Sequence, residues 1–243
     1  MRAVLTLSVL MVFPLSASAG HPESPLDRLD VNGTSPHHFA AYLNWTTNYV
    51  YRGISLSNKG PATQASISYQ NDNGFFAGWW VSTMDFSPPS GPNTEHNLYL
   101  GHSQRWNDSW RTDISATYFN FRGGTIGPDN SFAQWRVAAT YADQVTARFY
   151  YADNSYGLRF VSKAAELETA YALGPRFSLA GTLGYWDVSH LSNETYFYTD
   201  IALQYQLRHC ALSLHHHYAS SGGRRTYGYA ADSGYLLMLA VGF

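Results

Sequence analysis

The 243-residue chain carries 15 basic and 17 acidic residues, so charged side chains make up 13% of it while aromatics reach 16%. Charge at about half the roughly 25% of soluble domains is too little to cover a water-exposed surface, and a net charge of −2 excludes the basic footprint of a nucleic-acid binder. A mean hydropathy of −0.27 is nevertheless mildly polar, as expected when lipid-facing and water-facing residues alternate.

The chain opens with Arg2, an apolar stretch from Ala3 to Leu15 and the small residues Ala17-Ser18-Ala19. This is the pattern of an export signal over residues 1–19, cleaved after Ala19, with an apolar stretch too short to anchor in a bilayer. Its removal takes away one base and no acid, which lowers the net charge to −3. Residues 20–36 carry three prolines and two glycines and read as a flexible lead-in. The single cysteine, Cys210, leaves no intramolecular disulfide to form.

From His37 onward apolar and polar residues alternate with the period of two that strands impose. Twelve strands are predicted, near 38–52, 62–70, 75–85, 96–106, 110–121, 132–141, 145–152, 164–173, 177–187, 196–207, 211–219 and 235–243. Five connections are tight, at 71–74, 107–109, 142–144, 174–176 and 208–210, with turn-forming Asn, Asp, Gly and Ser in most of them. Six are longer, near 53–61, 86–95, 122–131, 153–163, 188–195 and 220–234. Short turns on one rim and long loops on the other are the build of outer-membrane barrels.

Parity separates two faces. In the strand 110–121, Trp110, Thr112, Ile114, Ala116 and Tyr118 share one face, while Arg111, Asp113, Ser115 and Thr117 share the other. The same split sets Trp135 and Val137 against Arg136, Ala147 and Phe149 against Arg148, Leu167 against Glu166 and Glu168, and Ile201 and Leu203 against Asp200. A membrane barrel turns the charged face inward, whereas a water-soluble barrel would turn it out. Aromatics of the apolar parity collect at both strand ends. Tyr69, Phe75, Trp106, Trp110, Tyr141, Phe177 and Tyr205 lie beside the tight turns; Tyr49, Tyr118, Tyr151, Tyr185, Tyr218 and Tyr235 lie near the long loops. Two such girdles are what the two interfaces of a bilayer select. The prediction is therefore an all-β fold, a transmembrane antiparallel up-and-down barrel of about twelve strands over residues 37–243, in a bacterial outer membrane.

The last strand sets Tyr235, Leu237, Leu239, Val241 and Phe243 on one apolar face. It is expected to close the ring against the strand near Phe39–Tyr51, because an open sheet edge cannot persist in lipid. This aromatic-terminated segment resembles the C-terminal signature of bacterial outer-membrane proteins. That resemblance implies the barrel-insertion machinery as a partner, engaged through the strand ending at Phe243, together with outer-membrane lipid.

A second resemblance rests on Asn48-Tyr49-Val50-Tyr51-Arg52-Gly53-Ile54-Ser55, followed by Gly60-Pro61-Ala62 and Gln64, and on Gly74-Phe75-Phe76-Ala77-Gly78-Trp79-Trp80 with Ser82, Asp85 and Phe86. These residues resemble the opening hairpin and next strand of the proteobacterial TorF-type porin family, with Tyr99 and Gly101 matching more loosely. The resemblance covers residues 42–101 and is general afterward. It implies an outer-membrane barrel with a transport role, and it supplies no catalytic residues.

Arg52, Arg105, Arg111, Asp113, Arg136, Arg148, Glu166, Glu168 and Asp200 are predicted to line a pore, with Asn44 and Asn48 on the same face. Rings of such charges select ions; the competing reading is that Arg–acid pairs cross-link the lumen. Arg52 and Asp85 fall at one rim and are expected to pair with each other and order a loop; the alternative is a mouth that selects solutes. In His215-His216-His217 only the first and third share a face, and with no third ligand in view a zinc site is not expected. His102 and His216 have the outward parity and are the exceptions to a clean lipid face; either they lie at an interface or the register differs there.

The function expected is passive diffusion of small hydrophilic or charged solutes through a narrow lumen, with no cofactor, no metal and no nucleic acid. One alternative is a non-conducting adhesion barrel acting through loop 220–234, with Arg224, Arg225, Tyr227 and Tyr229. Another is an outer-membrane lipid hydrolase built on His102 or His216 with an outward Ser or Thr.

Overall fold

The structure, a computed structural model, describes residues 36–85, 91–124 and 131–242. The predicted export signal, most of the lead-in and Phe243 lie outside these residues. The strands are β1 (His37–Thr46), β2 (Val50–Tyr51), β3 (Ile54–Ser55), β4 (Ala62–Asn71), β5 (Phe75–Thr83) and β6 (Thr94–Arg105). They continue with β7 (Trp110–Arg122), β8 (Phe132–Tyr141), β9 (Val145–Ser155), β10 (Phe160–Ala172) and β11 (Phe177–Asp187). β12 (Thr195–Gln206), β13 (Cys210–Ala219) and β14 (Gly234–Gly242) complete the sheet. Two short helices, α1 (Ser189–Ser192) and α2 (Ser221–Tyr227), stand in loops.

β1 and β4 to β14 form a closed twelve-stranded antiparallel barrel. Closure runs through β1 and β14 in the register Tyr42↔Gly242 to Thr46↔Met238. The predicted pairing of the last strand with the first is therefore present over the described residues. Among the described residues every barrel strand has a neighbour on both sides, and along those ladders the backbone groups that lipid could not satisfy are bonded.

Burial is inverted relative to a water-soluble protein. Leu98, Leu100, Phe149, Leu167, Leu183 and Ile201 are more than half exposed, whereas Asp113, Arg148, Glu166 and Asp200 are at most 8% exposed. The exposed face is apolar and the enclosed face polar, which is stable only where the surroundings are less polar than the interior. Outward rings pair across neighbouring strands at the turn rim (Trp110–Tyr141, Phe177–Tyr205) and at the loop rim (Tyr185–Phe197). The two girdles are thus present, with Tyr49 as the exception discussed below.

The five tight turns fall where composition placed them. Two connections differ from expectation. The loop expected over 153–163 shrinks to residues 156–159, because Asn154 Oδ1 accepts the Arg159 N–H at 2.7 Å and nucleates a turn. The first strand, expected to reach residue 52, ends at Thr46. Its remainder turns inward.

Candidate functional site

Residues 47–61 leave the wall at the long-loop rim and fold back into the lumen. β2 and β3 pair through Val50↔Ser55 and Tyr51↔Ile54, with Arg52 and Gly53 at the tip. Both tip residues have positive φ, 50° and 77°, which glycine adopts without the usual steric cost. Space also demands glycine at 53: a Cβ there would stand 3.0 Å from Ala219 Cβ and the Tyr218 carbonyl oxygen of β13. The hairpin root is tied by side chains. Ser55 and Ser57 hydroxyls donate to Asn48 Oδ1 at 2.7 and 3.3 Å. The Tyr49 hydroxyl donates to Glu95 of β6 at 2.8 Å, and its ring meets Trp80 edge-on.

From the tip, the Arg52 side chain crosses the lumen. Its Nη2 donates to Gln134 of β8 at 3.4 Å, and its Nε lies 3.6 Å from Glu166 of β10. Its guanidinium carbon stands 4.7 Å from the Tyr51 ring, 4.5 Å from Tyr150 of β9 and 4.9 Å from Trp186 of β11. Each such contact contributes up to about 2 kcal/mol when desolvated, so one side chain joins the hairpin to four wall strands. Glu166 also accepts from the hydroxyls of Tyr150 and Tyr198. The Tyr198 ring reaches it by lying over Gly184, where any Cβ would overlap the ring.

Two expectations are corrected by this hairpin. Tyr49 is fully buried inside the barrel rather than part of the outer girdle. Arg52 pairs with Glu166 rather than Asp85; Asp85 is exposed and its N–H donates to the Leu56 carbonyl at 3.0 Å. Outward-or-inward parity applies only within a strand, and the strand has already ended. The unbroken run Tyr49-Val50-Tyr51 before Arg52-Gly53 is the one sequence signal of the break, since alternation stops there.

The remaining predicted residues are distributed along the inner wall. Arg148 is 2% exposed and donates through Nη1 and Nη2 to the two oxygens of Glu168 at 3.1 and 3.2 Å, a bidentate pair. Arg111 lies 3.8 Å from Asp113 and 3.5 Å from Asp143 of the β8–β9 turn. Arg136 Nε donates to Ser115 Oγ at 3.1 Å, and among the described residues no carboxylate pairs with it. Asn44 stands half-buried in β1, whereas Asn48 belongs to the hairpin root. Arg105 sits at the turn-rim mouth, exposed and 3.1 Å from Asp143. There it lines, with Gln70, Asp72, Ser103, Gln104 and Arg111, a cavity of about 250 Å³.

Asp200 is engaged by a histidine. His215 Nδ1 lies 2.9 Å from Asp200 Oδ1, and its Nε2 lies 2.9 Å from Ser213 Oγ. His215 and His217 face inward, as parity required. Among the described residues no group of three or more His, Cys, Asp or Glu side chains is arranged to hold a metal ion. His102 faces outward at the turn rim, its Nε2 2.9 Å from the Asn73 carbonyl oxygen and its ring edge-on to Phe75. His216 packs on Tyr235 near the opposite rim. Among the described residues no hydrogen bond joins either to a serine or threonine hydroxyl.

Loop 220–234 forms a lid over the hairpin. Tyr227 stacks on Trp186 with centroids 6.0 Å apart, and burial pushes its hydroxyl pKa up. Arg225 bonds Glu194 through Nε and Nη2 at 2.5 and 2.8 Å, and the guanidinium holds that carboxyl below the usual glutamate range. Tyr229 donates to Asn58 at 2.5 Å, and Lys59 bonds Asp232 at 2.9 Å. Three of the four residues expected to form an adhesive surface, Arg225, Tyr227 and Tyr229, are thus engaged within the molecule.

The profile of a family described as "Bacterial protein of unknown function (Gcw_chp)" matches residues 30–236. Among curated proteins none matches the chain. Solved structures share its architecture. A NanC porin superposes with a TM-score of 0.56 at 11% identity, over 85% of this chain and 99% of that one. A KdgM porin gives 0.53 at 10%, over 84% and 99%, and a KdgM porin in complex with disordered oligogalacturonate gives 0.52 at 11%, over 85% and 99%. At such identities the likeness is one of fold.

Proposed function

This chain belongs to the bacterial Gcw_chp family of unknown function, and we propose that it is an outer-membrane channel for the passive diffusion of small hydrophilic or charged solutes. The observation that carries this reading is the inverted burial: a closed ring of strands with Leu and Phe outside and Arg, Glu and Asp inside. A barrel of this size is wider than the eight-stranded kind that side chains fill and narrower than open sixteen-stranded porins. The pore-lining residues are Arg52, Arg111, Asp113, Arg136, Arg148, Glu166, Glu168 and Asp200, with Arg105 at the mouth. The hairpin over 47–61 is the constriction, because its tip packs on β13 and the Arg52 side chain reaches across to Gln134 of β8. Lipid surrounds the apolar band, and the insertion machinery reads β14.

Planar-bilayer conductance of the refolded protein tests this. Wild type is expected to show small, discrete, salt-dependent steps. Replacing residues 48–60 by a short Gly-Ser linker is expected to raise the step size several-fold. Both barrels staying silent while migrating in a heat-modifiable, folded form on gels would overturn the channel.

A further inference from the structure

The inner wall carries a serine, a histidine and an aspartate joined in one chain of hydrogen bonds, and the channel reading makes no use of that order. Ser213 and His215 are two residues apart on β13, so both side chains stand on the inner face. Asp200 lies on the neighbouring β12, diagonal to His215 in a register that sets Asp200 against His217 and Ala202 against His215. The Nδ1 to Asp200 Oδ1 and Nε2 to Ser213 Oγ separations are both 2.9 Å. An ionised carboxylate only accepts, so Nδ1 carries the proton it receives and Nε2 is left as the acceptor for the serine hydroxyl. The imidazole is thereby held in the tautomer that a general base requires, with the orienting acid on one nitrogen and the nucleophile on the other.

The surroundings suit a reaction in a confined polar space. Ser213 is 6% exposed, His215 2% and Asp200 8%. Ser213 is the fourth residue of β13 counted from the tight-turn rim, whereas the lumenal hairpin is rooted at the opposite rim. Ser213 therefore lies toward the tight-turn rim, and the hairpin root toward the other. Gln204, the ladder partner of Ser213, carries a side-chain amide able to donate to an oxyanion.

We propose that Ser213, His215 and Asp200 form a hydrolytic triad inside the lumen, acting on short-chain acyl esters of small hydrophilic solutes. Ser213 Oγ attacks the ester carbonyl carbon as its proton passes to His215 Nε2. The tetrahedral oxyanion collapses, the C–O bond to the alcohol breaks, and His215 returns the proton to the departing alkoxide. Water then attacks the acyl-serine with His215 Nε2 as base, which releases the carboxylic acid and restores the serine hydroxyl. The lumen's width selects short acyl groups. The activity rests on the triad and not on conduction, so a silent barrel could still hydrolyse and a conducting one could fail to.

The test uses the full-length barrel in detergent micelles, with p-nitrophenyl acetate as substrate and a small fluorophosphonate as trap. Mass spectrometry is expected to find the phosphonyl group on Ser213. Acetate-ester turnover is expected to fall by about 100-fold or more in Ser213→Ala. Asp200→Asn is expected to lower kcat far more than it changes KM, as for a positioning residue, in a barrel still folded by heat-modifiable migration. Absence of label on Ser213 in the folded barrel, or turnover that survives Ser213→Ala, would overturn the triad and leave a structural hydrogen-bond chain.

Discussion

Glu166 shows how much one inward carboxylate can organise. Nothing local explains its importance: in the strand it is one of two acids on the polar parity, and Arg148 satisfies the other. Its partners come from the hairpin (Arg52), from β9 (Tyr150) and from β12 (Tyr198). A buried ion pair adds little net stability, yet removing one member leaves an uncompensated charge that costs about 3–5 kcal/mol. Glu166→Gln is therefore expected to lower stability to urea unfolding in micelles by about 3 kcal/mol, since solvent reaching the lumen places it at the low end. The double variant Glu166→Gln, Arg52→Met is expected to regain most of that loss. Strict additivity of the two substitutions would contradict the assignment of Arg52 as the partner. Parity placed Glu166 inside; only the fold shows that an arginine from the first loop meets it, because that contact depends on how the hairpin lies in the lumen.

At the scale of the strand, alternation carries the information. Each outward residue of a wall strand must suit hydrocarbon, and each inward one must find a polar partner or water. Leu167 of β10 is outward, 51% exposed, and set between Ala147 and Leu183 in the ladders. Leu167→Arg is expected to destabilise the barrel by about 2–4 kcal/mol, as a cation near mid-depth does in a transmembrane barrel, read from the guanidinium midpoint in lipid vesicles. A midpoint unchanged from wild type would place this face in water. Alternation also explains the misread element. Residues 38–52 look like one strand because apolar side chains continue through Tyr49 and Tyr51, but Ser55 and Ser57 both bond Asn48 and give the backbone a turn in place of a ladder. Likewise Asn154 shortens the loop after β9 through a side-chain oxygen that composition alone cannot aim.

At the scale of the whole molecule, described loops at one rim of the ring are tied to one another. The first and last loops are bound by Lys59 to Asp232 and by Asn58 to Tyr229, and the loop after β11 is bound to α2 by Ser192 to Thr226 and by Glu194 to Arg225. Because Arg225 holds the Glu194 carboxyl below its ordinary range, this clasp contributes fully above the unfolded glutamate pKa and is lost as pH falls through the lowered one. The Arg225 Nε–H resonance is expected to keep its position through mildly acidic pH and to shift only in stronger acid. Glu194→Gln is expected to abolish that transition. A shift centred in the ordinary glutamate range in the wild type would show that the clasp does not form.

Composition and period alone determined the strand count, the positions of the tight turns, the two faces and the pairing of the last strand with the first, as far as Gly242. They could do so because a bilayer outside and a polar lumen inside impose a two-residue rule on every wall strand, and that rule is local. The tertiary structure alone decided what fills the lumen. The course of residues 47–61, the partners of Arg52 and Glu166, and the line from Ser213 through His215 to Asp200 depend on side chains brought together by ring closure and register. His215 was visible as an inward histidine, and Ser213 shares its face two residues away, but Asp200 became its neighbour only once β12 and β13 were paired.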